Sequence, residues 1–106
     1  MKSKRSKACS ISKVSVKQAV YERHFGRCLF CGKQGTDLAH YISRANGGLG
    51  IEQNLVLLCR KCHYDLDQTP KRKDLLAIVK QYLTIMYPFF KDKERVYKKY
   101  KEIKDE

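Results

Sequence analysis

Two Cys-x-x-Cys pairs, Cys28-Leu29-Phe30-Cys31 and Cys59-Arg60-Lys61-Cys62, frame the middle of the chain and limit its possible folds more than any other feature. Each pair presents two thiolates from one tight turn, and two pairs supply the four sulfurs of a closed tetrahedral zinc site. The intervening residues 32–58 exceed the interval of about 15–20 usual between such pairs, so a strand, a loop and a second strand fit between them. A unit of this size, residues 28–67, lies near the limit of about 40 residues below which a chain seldom folds without a staple. A structural zinc on Cys28, Cys31, Cys59 and Cys62 answers that need. A redox dithiol is the rival, but such motifs do not normally come as two pairs flanking a hairpin. Gly32 and Gly35 permit the turns of the first pair. Cys9 stands outside the pattern as a free thiol without a role.

Between the pairs, Asp37–Ile42 alternates as a short strand, with Leu38, His40 and Ile42 on one face. Asn46-Gly47-Gly48 and Gly50 mark a loop, and the apolar run 54–58 pairs as a second strand. The second pair then launches a helix on which His63 and Asp67, four residues apart, share a face and can grip one ion. The fold class is therefore small α+β: a zinc-stapled core with an N-terminal helix and one or two C-terminal helices around it.

The flanks divide the chain into a basic flexible arm (1–14), the stapled core (15–70) and a C-terminal helical extension (71–106). Ser15 and Gln18 form a capping box for the N-terminal helix, whose apolar face carries Val16, Ala19, Val20 and Phe25, with Gly26 just past its end. His24 reads as a surface histidine. Thr69-Pro70 supplies the cap and first turn of a helix with a stripe at Leu75, Leu76, Val79, Tyr82, Leu83 and Met86. Pro88 ends it. Residues 91–106 read as a charged helix docked through Val96, Tyr97, Tyr100 and Ile103.

Charge narrows the partner. Lys and Arg number 23 against 11 Asp and Glu, a net +12 on 106 residues. Neutralising phosphates with such an excess releases condensed counterions, which favours a nucleic acid. No apolar stretch approaches the about 20 residues a membrane span needs, and no signal-peptide core is visible. The expectation is a soluble, intracellular (cytoplasmic) protein without a membrane partner.

The remaining residues inside the staple are an ordered set: Ala39-His40-Tyr41-Ile42, Asn46-Gly47-Gly48, and Asn54-Leu55-Val56-Leu57-Leu58-Cys59-Arg60-Lys61-Cys62-His63. Over residues 28–67 this resembles the HNH endonuclease family, which implies a ββα-metal fold and metal-dependent hydrolysis of DNA phosphodiesters. On that resemblance His40 is the general base, Asn54 pins the loop and orients the base strand, and His63 holds a single divalent cation, magnesium or manganese. Asp67 fits a second ligand to that ion. Cleavage in this family leaves a 5′-phosphate and a 3′-hydroxyl, and its small stand-alone members are common in phages. Arg44 and Lys61 are candidate phosphate contacts, Arg44 as a forked donor. One position departs from the pattern: many members carry Asp or His just before the catalytic histidine, where this chain has Ala39. That departure leaves a rival reading, a catalytically silent zinc module that binds nucleic acid. A second rival is an adaptor, or a dimer, joined through the C-terminal helices.

Overall fold

The computed structural model describes residues 3–98, built around a two-stranded antiparallel sheet, β1 (Asp37–His40) and β2 (Leu55–Leu58). Asp37 lies opposite Leu58, Leu38 opposite Leu57, Ala39 opposite Val56 and His40 opposite Leu55. All of β2 is buried, and alternation divides its side chains between two apolar clusters. Val56 and Leu58 join Cys28, Ala39, Leu66, Val79 and Leu83; Leu55 and Leu57 join Val20, with Ile11, Val16 and Leu38 at the margin. The sheet is thus sandwiched by α2 (Val14–Arg23) on one face and by α3 (Arg60–Gln68) and α4 (Arg72–Met86) on the other. Each fully buried Val or Leu here contributes about 1.5–3 kcal/mol.

Several expectations need correction. Within the N-terminal arm Lys4–Cys9 form a helix that the sequence reading does not expect, α1, capped by the Ser3 side chain, and Cys9 is buried. α2 begins at Val14 behind Lys13, which makes no side-chain cap, so the Ser15–Gln18 box does not form; Gln18 instead bonds Glu22 one turn on. Phe25 follows the helix at φ 55 and is 88% exposed, outside the core. His24 is buried, stacked on Tyr82 with ring centroids 4.8 Å apart. Burial, then the neighbouring Arg23 charge, pushes its pKa down to about 4. Helical spacing does not reach Phe25, because α2 ends at Arg23 and the chain turns through Phe25 and Gly26 at positive φ.

Thr69 closes α3 rather than opening α4; its hydroxyl bonds the Asp65 carbonyl and receives the Lys71 amide. α4 ends at Met86, just before Pro88. Within residues 91–98 there is no α-helix: a 3-10 turn at Asp92–Arg95 leads into an extended segment. Val96 there bridges Gly48, and the Tyr97 amide bonds the Gly47 carbonyl. The expected contacts of Tyr100 and Ile103 lie outside the described residues. Buried Arg95 explains the change of course. Its guanidinium bonds the Gln53 and Phe90 carbonyls and Asp92, and covers the rings of Tyr41 and Phe90.

The segment joining the strands is therefore held from both ends of the chain. A Cβ on Gly48 would overlap the Ile42 carbonyl, and one on Gly50 would overlap the Ser10 carbonyl just after α1. Only glycine permits such close approach. No described helix is long and apolar enough to cross a membrane.

Candidate functional site

The Cys cluster forms from two backbone turns brought together by β2. Cys28 and Cys31 sit on a knuckle closed by the Cys28 amide to the Lys33 carbonyl and the Gly32 amide to the Cys28 carbonyl. Cys59 caps α3, its sulfur accepting the Cys62 amide, and Cys62 follows in the first turn. All four sulfurs lie within 4.8 Å of one another, Cys31 and Cys59 at 3.7 Å. A zinc tetrahedron with bonds of about 2.3 Å has edges of about 3.8 Å, so the donor set fits the ion. The four cysteines are positioned to bind a metal ion. Cys28 responds to this setting: burial raises its pKa, but the amides of Cys31, Cys59 and Phe30 outweigh burial and bring it down to about 7. Burial and the adjoining thiols push Cys62 the other way. Thiols this close ionise together only when a cation neutralises them.

A second centre lies across the sheet. His40 ends β1, and its Nε2 is 2.9 Å from the backbone carbonyl of Cys9 at the end of α1. A carbonyl only accepts, so neutral His40 carries its proton on Nε2 and its lone pair on Nδ1. Burial, opposed by the Cys9 carbonyl and aided by Arg44, lowers the His40 pKa. Asn54, fully buried, accepts the Ile42 amide at 2.9 Å and donates to the Ile42 and Leu49 carbonyls at 3.1 and 2.9 Å. It thereby ties the glycine loop to the backbone two residues beyond His40.

His63 projects from α3 into the same region. His40, His63, Asp67, Arg44 and Ser43 line one hollow of about 370 Å³, with Ile11 and Leu38 as its apolar wall. His63 Nε2 and Asp67 Oδ2 are 3.1 Å apart. Two adjacent donors of an octahedral ion with bonds of about 2.1 Å are about 3.0 Å apart, so this pair fits a small divalent cation. The other Asp67 oxygen faces Arg72 at 3.5 Å. Arg44 also reaches the Ser10 hydroxyl at 3.3 Å. Lys61 is not part of this group: it is exposed and pairs with Asp65 at 3.5 Å.

Ala39 is 1% exposed and packs in the cluster of Val56 and Leu66. A carboxylate in that slot would be a charge inside the core, which is costly without a partner. The acid nearest along the strand is Asp37, on the same face two residues earlier. Its Oδ2 lies 3.0 Å from His63 Nδ1 and 3.0 Å from Arg60 Nε, and Thr36 donates to its Oδ1 at 3.0 Å. The His63 hydrogen bond, with help from Arg60 and Thr36, holds this carboxyl below its ordinary range despite burial. Asp37, the Cys9 carbonyl and Arg95 escaped the reading of the residues. For Asp37 a signal existed in the alternation that puts it on the face of Ala39; a backbone carbonyl from a distant helix leaves none.

Residues 27–68 match the family model described as HNH endonuclease. No curated protein matches the chain. The matched segment holds both Cys pairs and every residue of the hollow except Ile11, and it points to a nuclease or nucleic-acid-binding function. α1, α2 and α4 fall outside it.

Proposed function

We propose that this protein is a metal-dependent DNA endonuclease in which His40 is the general base and His63 with Asp67 holds one divalent cation, magnesium or manganese. The observation that carries this reading is the shared hollow, lined at once by His40, by the cation-fitting pair His63 and Asp67, and by Arg44. In the step so envisaged, His40 Nδ1 takes a proton from water as the water oxygen bonds to phosphorus, the bond to the 3′ oxygen breaks, and that oxygen takes a proton from solvent. The products are a 5′-phosphate and a 3′-hydroxyl. When bound, the cation supplies positive charge against the phosphate and the departing oxygen. Arg44 offers two parallel donors to a non-bridging oxygen. Asn54 keeps the base strand and loop in one register. The +12 charge draws the DNA backbone in, with Lys61 a contact away from the hollow. A lowered His40 pKa keeps the base neutral at neutral pH, so activity should fade only on the acid side of the ordinary histidine range.

The second reading, a silent nucleic-acid-binding module, is favoured by one observation: Ala39 leaves the cation with one protein ligand fewer than many relatives supply. Nicking of supercoiled plasmid in magnesium or manganese separates the two. Cleavage by the wild type that His40→Ala loses supports the enzyme; DNA binding without cleavage under either metal supports the module.

A further inference from the structure

The carboxylate of Asp37 has no place in the chemistry above, yet it is among the best-held polar groups of the described residues. Its side chain is 14% exposed, and its Oδ2 faces two donors at 3.0 Å each, His63 Nδ1 and Arg60 Nε. We infer that Asp37 is the positioning residue of the cation site, fixing the proton of His63 on Nδ1 so that Nε2 presents its lone pair beside Asp67. This inference rests on the cation reading of His63 and Asp67.

A neutral imidazole has one proton and one lone pair, on different nitrogens, and a cation takes only the lone pair. Without an acceptor at Nδ1 the ring could place its proton on Nε2, where it would bond Asp67 and close both donors to an ion. The ionised carboxylate of Asp37 accepts only, so Nδ1 must donate. Histidine ligands commonly have their second nitrogen held this way, and loss of the holding group costs about 10–100-fold in metal affinity. Asp37 also restores, one shell back, the acid that position 39 lacks. The strand face shared by residues 37 and 39 meets α3, but only position 37 reaches beyond the apolar core to the ring of His63.

Arg60 makes the inference testable, because it dictates how an amide would sit at position 37. In Asp37→Asn the amide oxygen must face the two donors, His63 Nδ1–H and Arg60 Nε–H, leaving its NH2 toward the Thr36 hydroxyl. The asparagine therefore keeps the acceptor and loses only the charge. The experiment is Mn2+ titration of the zinc-loaded full chain without DNA, followed by electron paramagnetic resonance. Zinc content and melting temperature are measured on the same samples. Asp37→Ala should weaken Mn2+ binding by about 10–100-fold with one zinc retained. Asp37→Asn should recover most of that loss, and Arg60→Ala should stay close to wild type. Wild-type Mn2+ affinity in Asp37→Ala would overturn the inference, as would an asparagine variant no better than alanine. His63→Ala separates the two levels: if it abolishes Mn2+ binding while Asp37→Ala does not, only the role of Asp37 fails. If His63→Ala binds Mn2+ as the wild type does, the cation site itself is lost, and Asp37 with it.

Discussion

The Cys cluster and the histidine hollow share a sheet and a helix but are built on opposite terms. The cluster takes its donors from two turns, each supplying a pair three residues apart, and sets four sulfurs around one point. The hollow draws His40 from β1, Arg44 from the following turn, His63 and Asp67 from α3, and a carbonyl from α1. Under the proposed function it would offer a cation two protein ligands, where the cluster offers four. The first arrangement would serve folding and the second turnover. α3 joins them: its cap is Cys59 of the cluster, and His63 of the hollow follows Cys62 directly. Under the proposed function, an ion held by the cluster would order the first turn of α3 and with it the direction of His63.

This comparison can be broken most forcefully at the cluster. Cys59→Ser should abolish the folded state, since structural zinc contributes about 10–16 kcal/mol of folding free energy. Serine still caps α3 by accepting the Cys62 amide, so the loss would report on the ion and not on the helix end. A circular-dichroism melt matching the wild type would show that the core stands without its staple.

At the hollow the expected effect is on rate alone. His40→Ala should lower nicking by about 10²–10⁴-fold, the usual contribution of a positioned base, with zinc content and melting temperature retained. Removal of residues 1–9 tests whether the base needs α1. Loss of the Cys9 carbonyl frees the ring of His40, and a misplacement of about 1 Å can cost about 10²-fold. Single-turnover kinetics at saturating DNA would isolate that effect, and an unaltered rate would mean that α1 only covers the sheet.

The smallest effect concerns a histidine in neither site. The pKa of His24 is about 4 folded and 6.5 by its ordinary value. Between those limits the unfolded chain binds a proton that the folded chain does not. Stability should therefore decline as pH falls from about 6.5 to 4, by about 1–3 kcal/mol. His24→Phe, which can keep the stack on Tyr82, should flatten that slope in urea titrations at several pH values. An equal slope in both proteins would assign the acid sensitivity elsewhere.

What could be read from the residues tracks how local each cause is. The cysteine knuckles, the strands, the α3 ligands and the end of α4 before Pro88 all follow from spacings within a few residues. Their positions differ from the structure by a residue or two: β1 stops at His40 and β2 begins at Leu55. The helix of the N-terminal segment is not legible because it has only the local signal of Ser3 and owes its place to a seat against Gly50 and His40. Over residues 91–98 the charge and apolar spacing suit a helix, but buried Arg95 and the bridge to Gly48 draw that stretch into a 3-10 turn and an extended path instead. His40, His63 and Asp67 of the hollow, and buried Asn54 outside it, are singled out by a family pattern, whereas Asp37 gains its meaning only when β1 and α3 are laid side by side.

The proposed function divides the chain between a closed metal site for folding and an open one for DNA hydrolysis. The direct test measures zinc content and plasmid nicking in Mg2+ or Mn2+ on single preparations of wild type and His40→Ala. The prediction is one zinc per chain in both, with nicking in the wild type and its loss in the variant. Equal nicking by both proteins, or none by either while DNA is still bound, would contradict it.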